Sequence, residues 1–204
     1  MNIKFFDSIN VSLPKDRVYS RLGYAKGLTK VKPEQKVRIE RCIEEALDLI
    51  DLKSAAVQIA IEKIDSSRVF LSGGVVFKSN SLGKFLTGCP EALLAAITSG
   101  NKITEAIQEK TNSNNTASAV VYDAVASEIT DSGLSWIIDY FNNQLRRQNQ
   151  RLTSARFSAG YGDFSLDNQK IIYEILNLEK IGLSLTESYM LIPEKSVTAV
   201  VGIK

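Results

Sequence analysis

One stretch of this chain has residue types at a spacing that can do chemistry: Arg156-Phe-Ser-Ala-Gly160-Tyr161-Gly162-Asp163. Gly160 and Gly162 bracket Tyr161, and glycine permits positive φ and a close approach of the backbone to another group. Arg156 presents a rigid fork of donors that suits a carboxylate. Its alternative role is a structural salt bridge. Tyr161 can set its ring and hydroxyl against a ligand, or it can anchor the turn to the core.

What the chain lacks narrows the chemistry further. It contains no histidine, so Ser-His-Asp triads, Cys-His pairs and His-based zinc sites are excluded, as is an imidazole ligand for cobalt. Neither Gly-x-x-x-x-Gly-Lys-Ser/Thr nor Gly-x-Gly-x-x-Gly occurs, so no phosphate cradle is signalled. Cys42 and Cys89 are the two cysteines; set among apolar neighbours and far apart, they read as buried free thiols. Glu40, Glu44, Glu45 and Asp48 lie mostly off the apolar stripe of their helix, where acids more commonly keep a helix soluble than bind a metal. No metal site is assigned.

The elements that must position the Arg156 loop follow from periodicity. Beyond the loop, Ile171, Ile172, Ile175, Leu176 and Leu178 form a helical stripe, with Ser165 or Asp167 as candidate caps and Gly182 placed to close it. Leu183, Leu185 and Val197 to Ile203 read as strand. Before the loop, a long helix is predicted from Ala117 to about Arg147, with Val120, Val121, Ala124, Val125, Leu134, Ile137, Ile138 and Phe141 inward. Gly133 either kinks this helix or admits another element, and Trp136 and Tyr140 read as core aromatics. Asn101 to Asn112 is a short polar helix.

Further upstream, Pro14 to Gly23 predicts a short helix. Pro33 opens a helix to about Leu52, striped by Ile39, Ile43, Ala46, Leu47 and Ile50. Arg17, Arg21, Lys26, Lys30, Lys32 and Lys36 read as a solvated basic face. Val57 to Ile64 and Val69 to Leu71 predict strands, followed by a turn at Gly73-Gly74. Lys84 to Gly100 reads as a strand feeding an Ala-rich helix, with Pro90 in its first turn and Gly100 at its end.

Composition sets the outer bounds. With 204 residues, 44% hydrophobic and 24% charged, the chain is expected to form one soluble domain, residues 1–204. A net charge of +2 gives no reason to expect nucleic acid or an anionic membrane as partner. No apolar run approaches the about 20 residues of a membrane span. The N-terminus has no signal-peptide core, so a cytoplasmic location is expected.

The pattern Arg156-x-x-x-Gly160-Tyr161, a helix, then Leu185-Thr-Glu-Ser-Tyr189 with Pro193 beyond it resembles the reactivation domain of cobalamin-dependent methionine synthase. The opening Arg21-Leu-Gly-Tyr24 and the Leu86-x-Gly-Cys89 segment also resemble stand-alone relatives of that domain. Ala124-Val-Ala-x-x-Ile-Thr-Asp131-Ser is similar to a family helix whose acid faces S-adenosylmethionine. The resemblance implies an α+β fold, with a twisted, largely antiparallel sheet and long helices packed on it. It further implies S-adenosylmethionine as ligand, with Arg156 on its carboxylate, Ser158 contacting it through backbone, and Gly160 and Tyr161 against it. Tyr161 then stands near the sulfonium or the departing methyl. Asp131 stands where the family has Glu, one methylene shorter, and either faces the ligand or caps and meets solvent. Glu187 either orients the loop from behind or is an ordinary strand residue.

The family continues Gly-Tyr-Pro-x-Cys-Pro where this chain has Gly160-Tyr-Gly-Asp-Phe-Ser165. Loss of the first proline is expected to loosen the loop, and an Asp163–Arg156 salt bridge would compete with the ligand's carboxylate. The implied role is a stand-alone reactivation component working in trans on a cobalamin-carrying methionine synthase subunit, with a reductant or electron-donor protein. No cobalamin motif of its own is present. A non-catalytic S-adenosylmethionine-binding sensor or scaffold is the competing reading. A conventional methyltransferase is disfavoured by the missing glycine-rich strand–helix turn.

Overall fold

The computed structural model describes residues 2–25, 28–29 and 32–204; Lys26 and Lys30 of the expected basic face lie outside them. The centre of the molecule is strand β5 (Glu91–Thr98), in which every residue from Ala92 to Thr98 is buried. Ala92, Leu94 and Ala96 face one hydrophobic cluster, and Leu93, Ala95 and Ile97 face another. A strand buried on both faces reads as a continuous apolar run instead of an alternating one.

Around β5 the sheet is antiparallel throughout. β2 (Lys53–Ile64) pairs with one edge in register Lys53↔Thr98 to Ala60↔Glu91, and β8 (Ser196–Ile203) with the other, Thr98↔Ser196 to Glu91↔Ile203. The outer edge of β2 is shared. β1 (Lys4–Phe6) covers its first half and β3 (Arg68–Leu71) its second, after an irregularity between Ile61 and Lys63. β4 (Val75–Lys78) completes a hairpin with β3 across Gly73 and Gly74, both at positive φ. β6 (Ser184–Leu185) and β7 (Leu191–Ile192) form a separate small hairpin.

Helices cover both faces of the sheet. α5 (Thr116–Leu145) lays Ile129, Leu134, Ile137, Phe141 and Leu145 on one face, while its first half packs on α1 (Lys15–Arg21), α2 (Pro33–Leu47) and α4 (Asn101–Asn112). α3 (Asn80–Leu86) and α6 (Asn168–Leu176) cover the other face. The expected α+β architecture is therefore present. A Cβ at Gly133 would sit 2.5 Å from Ile97 Cδ1, so this glycine lets α5 approach β5.

Several local expectations are overturned. Residues 84–100 are a helix followed by a strand, the reverse of the order read from the sequence. Ser79 Oγ accepts from Leu82 N at 2.9 Å to start α3, and the Ala-rich run is β5. Helix α2 ends five residues early, because Asp51 N donates to Ser99 O and starts β2. Val120 is half exposed, and Trp136 lies at the margin, stacked on Tyr140 and edge-on to Phe6. Arg21 leaves the basic face to pair with buried Glu128 at 2.8 Å. Neither Ser165 nor Asp167 caps α6 by its side chain; they bond to one another. Gly182 closes a further short turn, Leu178–Ile181, beyond α6. Cys89 is buried, Cys42 only partly, and both thiols are free.

Candidate functional site

The Arg156 loop hangs on the outer edge of β8. Phe157 N donates to Val200 O at 2.9 Å and Val200 N to Phe157 O at 2.7 Å. Phe157 thereby turns into the core, against Phe85 and Phe164. Alternation along an extended segment then sends Arg156 and Ser158 to the opposite side. There they line a cavity of about 740 Å³. Its other walls come from α4, from the start of α6 and from residues 186–198, which run through β7 into β8.

The turn itself is pinned at both ends. Ser158 Oγ donates to Thr198 O at 2.7 Å, and Gly160 N to Phe164 O at 2.7 Å. Gly160 (φ 93°) and Gly162 (φ 57°) both occupy the left-handed half of conformational space, which explains the two glycines flanking Tyr161. Asp163 does not bridge to Arg156 as expected. It accepts from Ser79 Oγ (2.7 Å), Asn80 N (2.7 Å) and Ser81 N (3.1 Å) at the start of α3. The Ser79 hydroxyl, then the Ser81 side chain and the Ser81 and Asn80 amides, hold its carboxyl far below the usual carboxylate range. This carboxylate tethers the loop to the start of α3.

Of the residues singled out from sequence, four line the cavity together: Arg156, Ser158, Tyr161 and Asp131. Arg156 Nη2 donates to Asp131 Oδ1 at 2.8 Å, with side-chain exposures of 35% and 41%. A pair this open contributes little stability, about 0–1 kcal/mol, and one such contact leaves other guanidinium donors for a ligand. Tyr161 is 68% exposed at the rim; it is not an anchor into the core. Gly160 shapes the turn without lining the cavity. Glu187 is exposed in the β6–β7 turn and does not line it either. Its neighbours Thr186 and Tyr189 do.

The cavity also contains residues that the sequence reading passed over. Tyr189 has φ 64°, an outlier for a bulky side chain of the kind that collects at ligand sites. Glu105 of α4 and Glu194 add two carboxylates, so that among the described residues one cation, Arg156, faces three acids including Asp131. Gln169 is 3% exposed, and its Oε1 accepts from Thr198 Oγ1 at 2.9 Å. Its Nε2 has no partner, nor does buried Thr104 Oγ1 on the facing helix. The available signal was Gln169 at the i−3 position to Ile172 on the buried stripe of α6. A polar side chain there must find a partner.

No family model matches the sequence, and no curated protein does. Among solved structures, the crystal structure of the MetH reactivation domain bound to AdoHcy superposes with a TM-score of 0.73. The match covers 99% of this chain and 78% of that one, at 12% sequence identity. This chain is similar in fold to the MetH reactivation domain. At such identity the likeness is one of fold, and the chemistry must be argued from the cavity. No helix among the described residues is long and apolar enough to cross a membrane.

Proposed function

We propose that the cavity beside Arg156 binds S-adenosylmethionine, and that the chain serves as the reactivation component of a cobalamin-dependent methionine synthase. The observation that carries this is the composition of the cavity wall. S-adenosylmethionine has one carboxylate, an ammonium, a sulfonium and a nucleoside without phosphate. Among the described residues, one guanidinium against three carboxylates favours a ligand whose net charge is positive and opposes a phosphorylated nucleotide. Its volume of about 740 Å³ lies within the range for small-molecule sites, about 300–1,000 Å³. The solved neighbour of like fold is bound to AdoHcy, the demethylated form of the same molecule.

In this reading Arg156 takes the carboxylate and Asp131 or Glu105 the ammonium. The apolar wall from Tyr189 to Pro193 receives the adenine. Tyr161, at the open rim, stands over the sulfonium and limits the approach of water to the methyl. The protein holds and orients the donor instead of moving protons, a task that needs no histidine. Reduced cobalamin, carried by a partner subunit, would supply the nucleophile that takes the methyl from sulfur, leaving S-adenosylhomocysteine in the cavity, and a separate reductant would supply the electron. Exposed Met190 (56%) and Ile192 (44%) beside the cavity mouth offer an apolar rim on which such a partner can seat.

Two experiments test the reading in order. Calorimetry with S-adenosylmethionine and S-adenosylhomocysteine is expected to show saturable 1:1 binding; no heat with either ligand removes the proposal. Labelled S-adenosylmethionine, a cobalamin-loaded methionine synthase core and a reductant are then combined with the chain. Transfer of label to the partner's cobalamin supports reactivation. Binding without transfer leaves the sensor reading.

A further inference from the structure

Gln169 was neither implied by the family resemblance nor placed by any sequence motif, yet its surroundings are specific. Its carboxamide is buried at 3% exposure and fixed by the Thr198 hydroxyl, which donates to Oε1 at 2.9 Å. That bond leaves Nε2 as a buried donor without an acceptor. Only one other such atom occurs among the described residues, Thr104 Oγ1, and both residues line the same cavity. A buried unpaired donor costs about 1–3 kcal/mol, so two such atoms on residues lining one cavity mark where a ligand's polar atoms belong.

The position of Gln169 identifies which atoms. Thr198, which fixes the carboxamide, also accepts through its carbonyl from Ser158 Oγ at 2.7 Å. Ser158 and Arg156 lie two residues apart on the same side of the segment paired with β8 through Phe157↔Val200. Same-side neighbours in extended chain are about 6–7 Å apart. Gln169 and Arg156 are thus tied through Thr198 and Ser158 to the same edge of β8 and line one cavity, with Nη2 of Arg156 already engaged by Asp131. A planar group with two acceptor oxygens can accept from two such donors at once; a single hydroxyl or ring nitrogen does not use both.

We infer that Gln169 is a specificity-determining residue whose Nε2 donates to the ligand's amino-acid carboxylate, sharing it with Arg156. This inference rests on the S-adenosylmethionine reading of the cavity and adds the selection it imposes. The site requires a free α-carboxylate on the ligand, and nucleosides without that end are discriminated against.

The test compares three ligands by calorimetry: S-adenosylmethionine, S-adenosylhomocysteine and 5′-methylthioadenosine, which lacks the amino-acid end. If wild-type protein binds none of them, the underlying reading fails, whatever the role of Gln169. If it binds the first two, Gln169→Leu is expected to weaken them roughly 10- to 100-fold and to leave 5′-methylthioadenosine unchanged. Gln169→Glu, which sets a second carboxylate against the ligand's own, is expected to weaken them further. An equal or tighter affinity for Gln169→Glu would overturn the assignment, because the carboxamide would then face the ammonium. So would a Gln169→Leu penalty that persists with 5′-methylthioadenosine, or no penalty at all. Should either variant fail to fold, ¹⁵N-labelled wild-type protein gives the same answer. The Gln169 side-chain amide resonances are expected to shift with S-adenosylhomocysteine and not with 5′-methylthioadenosine, and the reverse pattern overturns the inference.

Discussion

Arg156 shows how much a single residue type can announce and how much it leaves open. A guanidinium beside Gly160-Tyr161 signals carboxylate recognition, and the side chain does line a cavity. Its ion pair with Asp131 is the structural salt bridge that the sequence allowed as the alternative, and the same side chain faces the cavity. Because the pair is partly exposed, losing it costs the fold about 0–1 kcal/mol. Losing the proposed ligand contact is expected to cost more. Arg156→Ala is expected to weaken S-adenosylhomocysteine binding by about 2 kcal/mol, roughly 30-fold, at the lower end for a truncated charge pair because the site is partly wet. Calorimetry together with a melting curve separates the two effects. Unchanged affinity would assign Arg156 to structure alone. Gln169, by contrast, carried no charge and no motif, and only its burial without a partner drew it out.

At the scale of elements, the loop and helix α3 stabilise each other through Asp163. The carboxylate meets the exposed amides at the start of α3, where the helix dipole also favours negative charge. Its carboxyl is held below its unfolded value, so the stabilisation is complete above that value. It is lost as the pH falls through the folded one. Asp163→Asn is therefore expected to lower the melting temperature at neutral pH. The gap to wild type should begin to close below about pH 4, the unfolded range for aspartate. A gap that stays constant into strong acid would show that charge is not what holds the loop. Nearby, residues 91–98 show a limit of pattern reading. Ala-Leu-Leu-Ala-Ala-Ile is apolar at every position, so it fits a buried helix and a doubly buried strand equally well. Pairing with β2 and β8 along its whole length decides for the strand.

For the whole molecule, the cavity lies where α4, α6, the Arg156 loop and the end of the sheet converge, so a ligand there bridges elements far apart in the chain. Binding only the folded state, S-adenosylhomocysteine at 100 times its dissociation constant should stabilise by about 2.7 kcal/mol. In a chain of this size that raises the melting temperature by about 5–10 °C. A thermal-shift titration checks it. No shift with S-adenosylhomocysteine, alongside a clear shift with a phosphorylated nucleotide, would contradict the reading of the acidic cavity wall.

The long helix ending near residue 145, strands read at 57–64 and 197–203 within the observed 53–64 and 196–203, and the loop with its two glycines were legible in the chain itself, because periodicity and backbone chirality are local properties. The absence of histidine was equally plain, and it removes imidazole-based triads and pairs. Which acid meets Arg156, where Asp163 points, whether residues 91–98 run as strand, and that Gln169 is buried with an idle donor were settled only in three dimensions. Each depends on which distant segment comes to lie alongside, and no spacing along one chain encodes that neighbour.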